Sequence, residues 1–217
     1  MIYYNADLAK RFLLDGPGNV MLACSGGVDS IAGSHFLISN LRKRIEFTIL
    51  HINNHLHTDE EAADRVYDFA RSVGVPAIIR SAPVNESNGI EASCREARFK
   101  IYQEIGGPIV LFHHLDDAVE SYLMNCFRGK HSYIPIPQVT PIDNGILIRP
   151  FIPHTLKIDF VSYAASNDLK QWVTVDPLNA KSRRGWIRST LLPVIDQEYP
   201  GLSTTIKKMY LRKATSL

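Results

Sequence analysis

The sequence contains few cysteines, and Cys24, Cys94 and Cys126 lie far apart and form no C-x-x-C pair. This pattern argues against a disulfide framework and against a metal or iron-sulfur site built from cysteines. Long apolar runs are also absent, since no stretch approaches the ~18 residues that a membrane-spanning helix needs. The first residues, MIYYNADLAKRFLLDG, contain Asp and Lys and do not form a secretory signal. We therefore expect a cytoplasmic protein without membrane association.

A strong net charge is lacking as well, because 24 Lys and Arg residues nearly balance 22 Asp and Glu residues. The charges are unevenly distributed along the chain. Residues 1–180 carry 16 basic and 20 acidic side chains, whereas residues 181–217 carry 8 basic and 2 acidic side chains, a net charge of +6. A polyanionic partner that docks near the C-terminal end would explain this asymmetry, and so would a solvated amphipathic helix.

The chain alternates short apolar segments rich in branched residues with amphipathic segments. The strand-like segments are NVMLAC (19–24), EFTILHI (46–52), PAIIRS (76–81) and PIVLFH (108–113). Helical spacing of apolar residues occurs in 30–40, 58–74 and 90–106, with a capping-box pattern at Thr58 and Glu61 and a candidate C-cap at Gly74. This alternation predicts an α/β fold with a parallel, doubly wound sheet. We assign residues 1–150 to this domain and residues 151–217 to a small, basic, helical extension packed on it.

The junction after the first predicted strand contains Ser-Gly-Gly-Val-Asp-Ser at residues 25–30. Two adjacent glycines allow a turn in which successive N–H groups point into one concavity. The following helix adds its free N-terminal amides and the positive end of its dipole. Folds of this class bind ligands at the carboxyl ends of their strands, where this junction lies. The sequence therefore predicts a phosphate-binding loop.

The side chains of this loop indicate the ligands it would bind. Ser25 and Ser30 can donate hydrogen bonds to phosphate oxygens, whereas Asp29 needs a cation between its carboxylate and a phosphate. Asp29 therefore predicts Mg²⁺ bound through the phosphates. The loop is not a Walker loop, because G-x-x-x-x-G-K-[ST] is absent, and we expect no lysine near the phosphates. An ordinary glycine turn with Asp at a helix start is the alternative.

A second group of polar residues belongs to the predicted helix 115–128. Asp117, Glu120 and Arg128 share one helix face, because three residues correspond to ~300° of rotation and eleven to ~1100°. Favourable interaction with the helix dipole would also explain an acidic pair near the start and an arginine near the end. The predicted core stripe consists of Val119, Tyr122, Leu123, Cys126 and Phe127. His113 and His114 precede the helix, on the edge of the sheet where the loop lies.

The Ser-Gly-Gly-Val-Asp-Ser loop resembles that of the N-type ATP pyrophosphatases, which cleave ATP to AMP and pyrophosphate while adenylating a carbonyl oxygen. Four further segments resemble motifs of the tRNA(Ile)-lysidine synthetases and occur in the same order. They are HINNHLHTDE (51–60), IEASCREARF (90–99), HHLDDAVESYLMNCFRG (113–129) and DPLNAKSRRGWIRSTLLPVI (176–195). The chain is thus identified as a member of this family, covering its catalytic domain alone, with an adenine nucleotide alpha hydrolase-like fold.

The resemblance implies a ligase that uses ATP to adenylate the C2 carbonyl oxygen of a wobble cytidine in tRNA, after which free lysine displaces AMP. Its implied catalytic residues are Asp29, His113, Asp117 and Glu120, of which Asp117 and Glu120 would hold the lysine ammonium. The implied ATP-binding residues are Ala23, Ser25, Gly26, Gly27, Val28, Asp29, Ser30, His51, Arg95 and His114, with Mg²⁺ at Asp29. The implied tRNA-binding residues are Arg98, Arg128, Arg184 and Arg188.

Some positions depart from the family pattern. Residues 130–150 look more like the corresponding loop of tRNA thiolases, which generally need cysteines for sulfur or cluster chemistry, and Gly185 replaces a family asparagine. Trp186 either stacks on an exposed base or belongs to the core, and Asp176 and Asn179 are expected to order a turn. Three functions therefore stay open: a lysidine-type ligase, an ATP pyrophosphatase acting on another carbonyl, and a non-catalytic nucleotide- or RNA-binding module. An oligomer is compatible with the sequence.

Overall fold

The computed structural model describes residues 1–14, 18–56, 59–84, 90–130, 134–174 and 182–214. Its strands are β1 (Asn19–Ala23), β2 (Glu46–Asn53), β3 (Ala77–Ser81), β4 (Gly107–Val110), β5 (Val139–Ile142) and β6 (Gly145–Ile148). They form one sheet in the order β3-β2-β1-β4-β6-β5. All neighbouring strands are parallel except β5, which pairs antiparallel with β6 at the edge. The α/β class and the mostly parallel sheet are as predicted.

The helices connect these strands and follow them. They are α1 (Ala6–Ala9), α2 (Val28–Leu41), α3 (Asp59–Val73), α4 (Ile90–Ile105), α5 (Leu115–Phe127), α6 (Lys157–Ser166), α7 (Arg183–Trp186), α8 (Leu192–Glu198) and α9 (Leu202–Ala214). A π-helical turn, Ile187–Leu191, joins α7 to α8, so residues 183–198 form one helical segment. None of the described helices is long and apolar enough to cross a membrane.

The core lies on both faces of the sheet. On one face, α2, α3 and α6 pack against β1 and β2, with Phe69 and Phe160 fully buried. Tyr102 of α4 packs with Leu50 and Ile109 in a separate cluster. The C-terminal helix α9 packs on α5, where it buries Ile206. Helices on both faces explain why β1 and β4, in the middle of the sheet, are largely apolar.

Local sequence patterns did not predict two strands and the exposure of the end of α5. Strands β5 and β6 were not predicted, because prolines and Gly145 obscure the strand pattern of residues 134–150. On α5, Val119 and Leu123 are buried as predicted, but Cys126 and Phe127 are exposed at the end of the helix.

The two predicted helix caps have different outcomes. Gly74 has φ +70° and follows α3, as predicted for its C-cap, and the Val75 N–H donates to the Ala70 carbonyl. The predicted capping residue Thr58 lies outside the described residues.

We predict that Gly33→Ala destabilises the protein by about 1–3 kcal/mol, the usual cost of overpacking. A Cβ at Gly33 would lie 2.3 Å from Cδ1 of Phe112, so the gain in helix propensity should not offset the clash. The matched control is Gly18→Ala, where a Cβ meets nothing within 4 Å. Urea unfolding monitored by circular dichroism measures both variants. Equal stability of Gly33→Ala and the unsubstituted protein would contradict the prediction.

Candidate active site

The loop between β1 and α2 depends on one glycine for its turn. Gly26 has φ +86°, a left-handed conformation that residues with a Cβ rarely adopt, and a Cβ there would lie 2.7 Å from Thr174 Oγ1. Gly27 has φ −68° and ψ 158°, which any residue can adopt. The expectation that the turn needs both glycines is therefore wrong for Gly27. Instead, Gly27 leaves the N-terminus of α2 without a side chain in front of it.

Ser30 stabilises the loop through hydrogen bonds to its backbone. Its buried hydroxyl donates to the Gly27 carbonyl oxygen at 2.9 Å and accepts from the Ser25 N–H at 3.2 Å. Because a hydroxyl has one proton, Ser30 in this structure directs that proton at the backbone and not into the loop. Ser25 is exposed, and its hydroxyl lies 3.3 Å from that of Ser30. Of the two predicted phosphate donors, Ser25 is the better placed.

Asp29 is the second residue of α2 and has an unexpected partner. Its Oδ2 lies 2.6 Å from Nζ of Lys157, the first residue of α6, so the expectation that no lysine lies near the loop is wrong. Its Oδ1 is buried and accepts no hydrogen bond from the part of the chain that the structure describes. An orphaned carboxylate oxygen beside a phosphate-binding loop suits Mg²⁺, which prefers oxygen ligands and keeps phosphate oxygens in its shell. The residues present therefore fit the predicted ion.

His114 connects the loop to α5. It is 1% exposed, and its Nε2 lies 3.8 Å from Asp29 Oδ1 and 3.4 Å from Asp117 Oδ2, while its Nδ1 lies 3.2 Å from Asp116 Oδ2. Burial lowers the pKa of His114, but the three carboxylates outweigh burial and raise the pKa above its usual value. Backbone groups also bind two of these carboxylates, since the His114 N–H donates to Asp117 and the Lys157 N–H donates to Asp116.

His113 has the opposite electrostatic environment. Its Nδ1 is buried without a hydrogen-bond partner in the described structure. Burial, opposed by Asp117 and assisted by Arg149 and Arg98, lowers the pKa of His113 to about 4. His113 is therefore a neutral imidazole near pH 7, with a ring nitrogen that none of the described residues contacts by a hydrogen bond.

Asp117 and Glu120 lie together on α5, as predicted, and Arg188 lies between them. Glu120 is fully buried, and its Oε1 accepts a hydrogen bond from Arg188 Nε at 2.5 Å. Arg188 Nη2 lies 3.5 Å from Asp117 Oδ1. Burial raises the pKa of Glu120 although Arg188 opposes it, whereas His114, His113 and Arg188 together lower the pKa of Asp117 against its burial. Arg188 extends from the π-helical turn, a feature frequent at functional sites.

The other predicted site residues include some that lie near the histidines and carboxylates described above and some that lie away from them. His51 is 3% exposed and its Nδ1 donates to the Cys24 carbonyl oxygen at 2.8 Å, so it supports the start of the loop between Ala23 and Val28. Arg128 ends α5 about 12 Å along the helix from Glu120, at ~1.5 Å per residue, and does not join the carboxylates.

The remaining predicted arginines lie on α4 and α7. Arg95 and Arg98 are on the exposed side of α4, where Arg98 Nε donates to the Cys94 carbonyl. Arg184 is half-buried on α7, within electrostatic reach of Glu120. Asp176 and Asn179 lie outside the described residues.

Three residues of this region, Lys157, Asp116 and Arg149, were not predicted from the sequence. Arg149 follows β6, is 9% exposed and donates to the Pro137 carbonyl and to Thr140 Oγ1, which fixes the segment leading into β5. Its position directly after an apolar segment was a usable signal, because that segment is a strand whose carboxyl end lies at the same edge as the loop. Lys157 gave no local signal, since 128 positions separate it from Asp29.

Comparison with known proteins identifies the family. A family model described as a PP-loop domain matches residues 4–195, and the chain belongs to this PP-loop family. It is 33% identical over 195 residues to a tRNA(Ile)-lysidine synthase from Xanthomonas axonopodis pv. citri, a match that covers 85% of this chain and 44% of the relative. It is 30% identical over 209 residues to the bifunctional protein TilS/HprT from Listeria monocytogenes, covering 90% of this chain and 32% of the relative. The resemblance to lysidine synthetases is thereby confirmed, for less than half the length of either relative.

A solved structure shares the fold. The U34-tRNA thiolase NcsA from Methanococcus maripaludis, determined with its [4Fe-4S] cluster, superposes with a TM-score of 0.75 at 17% sequence identity. The match covers 97% of this chain and 78% of the thiolase. At this identity the comparison establishes the fold alone, and it confirms the predicted architecture.

We predict that His113→Gln reduces the loss of stability in mild acid. An unfolded histidine titrates near ~6.5, whereas His113 in the folded protein has a pKa of about 4. The unfolded state therefore binds this proton more readily, and His113 costs stability progressively as the pH falls from about 6.5 to about 4. Glutamine does not titrate, so the variant should lose less stability in this window, as measured by urea unfolding at several pH values.

His114→Gln provides a control of opposite sign. The raised pKa of His114 means that its stabilising contribution is complete below pH ~6.5 and is lost as the pH rises through the folded-state pKa. NMR titration of the two rings provides an independent measurement. A folded-state pKa of His113 near 6.5 would refute the proposed neutral imidazole.

Proposed function

We propose that this chain catalyses an ATP-dependent modification of tRNA in which a cytidine C2 oxygen is adenylated and free lysine then displaces AMP. The observation that carries the proposal is the contact chain from the loop to the carboxylate pair. His114 lies within 3.8 Å of both Asp29 and Asp117, and Arg188 links Asp117 to Glu120. A phosphate-binding loop and a cation-binding pair thus share one edge of the sheet.

Different comparisons support different parts of this proposal. Membership of the PP-loop family supports ATP as the substrate. The relatives named as tRNA(Ile)-lysidine synthases support tRNA as the modified molecule and lysine as the nucleophile. A cytoplasmic location, where ATP, tRNA and free lysine occur together, is part of the same proposal.

In the first step the loop would hold the triphosphate while the cytidine oxygen attacks the α-phosphorus and pyrophosphate leaves. The N-terminal amides of α2 and the Lys157 ammonium supply positive potential where the leaving group develops charge. Asp29 would hold Mg²⁺, which would neutralise phosphate charge when bound. Before ATP binds, Lys157 neutralises Asp29, and we propose that the same ammonium turns to a phosphate oxygen when the nucleotide is present.

In the second step the lysine ε-amine attacks C2, and the C2–O bond breaks as AMP leaves with the oxygen. Free lysine has a pKa near ~10.4, so its ammonium must be held and then deprotonated. Asp117 and Glu120 would hold the ammonium in the position where Arg188 now supplies a positive charge. His113, whose Nδ1 accepts no hydrogen bond from the described residues, is the candidate for steering the adenylate or the proton.

The second candidate function is a PP-loop ligase that acts on another carbonyl, including thiolation. The sequence of residues 130–150, which looks more like the corresponding loop of tRNA thiolases, favours it. The cysteines argue against thiolation by this chain alone, because Cys24 and Cys94 are buried and Cys126 is exposed at the end of α5. We therefore prefer lysine as the nucleophile.

We predict that Asp29→Asn lowers pyrophosphate release from ATP by at least a hundredfold in the presence of tRNA and Mg²⁺. The substitution preserves the size of the side chain but removes the charge that would hold the cation and orient Lys157. Asp68→Asn, at an exposed position of α3, is the matched control and should retain full activity. A near-normal rate for Asp29→Asn would exclude the proposed role of this carboxylate.

We predict that labelled free lysine enters tRNA, and that Glu120→Gln raises the lysine concentration for half-maximal incorporation at least tenfold. The rate of adenylation, measured as pyrophosphate release, should change much less, because the carboxylate acts on the amine and not on ATP. Glu104→Gln on the exposed side of α4 is the control. Pyrophosphate release with tRNA but without incorporation of lysine by the unsubstituted protein would favour the second candidate function.

A further inference from the structure

Residues 183–198 present two faces with different chemistry. Ile187 is 2% exposed and packs with Leu123 and Met124, which fixes the orientation of the segment on α5. Trp186, its neighbour, is 53% exposed. The alternative that Trp186 is a core residue is therefore wrong, and an indole in solvent needs an explanation.

The arginines of this segment also divide between the two faces. Arg184 and Arg188 are four residues apart, so they share one side, and Arg188 contacts Glu120 there while Arg184 acts electrostatically on the same carboxylate. Trp186 is two residues from Arg188, about 200° around the helix, and therefore points away from these carboxylates. Arg183 is exposed and three residues from Trp186, on the same outer side. The outer pair of Arg183 and Trp186 thus lies outside the site described above.

We propose that Arg183 and Trp186 form a binding site for an unpaired RNA base, with the indole stacked on the base and the guanidinium on the adjoining phosphate. An aromatic ring beside a planar cation is the combination that binds single-stranded nucleic acid with little sequence preference. The net charge of +6 on residues 181–217 complements a polyanion. The site deepens the proposed function, because it adds a contact to the RNA substrate outside the reaction centre.

The chain allows Trp186 to be observed selectively. Its other tryptophan, Trp172, is partly buried against the core, and Trp172→Phe leaves Trp186 as the single indole fluorophore. A ten-nucleotide single-stranded RNA should quench this fluorescence, whereas the same sequence as a duplex should quench it far less. The duplex also corrects for absorption by the nucleic acid.

Substitutions separate stacking from charge. Trp186→Ala should weaken binding of the single-stranded RNA by about five- to a hundredfold, and Trp186→Phe should retain most of the affinity. Arg183→Ala should reduce the slope of log affinity against log salt concentration by about one. The matched control is Tyr67→Ala, which removes a 50% exposed aromatic residue from the acidic helix α3 and should leave affinity unchanged.

Equal RNA affinity of Trp186→Ala and the unsubstituted protein, equal quenching by duplex, or no RNA binding overturns the proposed site. Lysine incorporation into tRNA, measured in parallel, tests the proposed function separately. Incorporation with unchanged affinity in Trp186→Ala would refute the stacking site and leave the function standing. Quenching by single-stranded RNA without incorporation would support the site and refute the function.

Discussion

The arrangement of this edge of the sheet depends on the contacts of one buried residue, His114, with three carboxylates. Those of Asp29, Asp116 and Asp117 lie within 3.8 Å of its ring and raise the pKa of His114 above its usual value. The ring is nearly inaccessible to solvent, so the attraction between its protonated form and these carboxylates is screened little. Because Asp29 is on α2 and the other two carboxylates are on α5, the same ring connects the loop to the neighbouring helix.

The site carries its own counterions. Lys157 pairs with Asp29, and Arg188 pairs with Asp117 and Glu120. A cationic ligand at either place must displace or share a protein cation, so part of its binding energy is spent on that exchange. The advantage is that no charge is buried alone before the ligand arrives, which would cost several kcal/mol. Discrimination between ligands then depends on how well each replaces the internal partner.

The sequence was sufficient for features whose cause is local. A strand, two glycines and a helix are contiguous, so the loop and the parallel strands around it could be predicted, as could the shared face of Asp117 and Glu120. Lys157 and Arg188 could not be assigned to these carboxylates, because tertiary packing brings α6 and the π-helical turn to them from distant positions. Burial lowers the pKa of both His113 and His114, and the charges that tertiary packing places around each ring decide the opposite net shifts. Adjacent positions in a sequence cannot reveal those charges.

The hairpin of β5 and β6 affects whether the sheet of one molecule can pair with that of another. An open edge of a sheet offers unpaired backbone groups to any extended chain, which favours aggregation. Here the edge strand β5 is short, runs against the direction of its neighbours and contains Pro141, which has no amide hydrogen to donate. Extension of the sheet from one molecule to the next is thereby discouraged on this side.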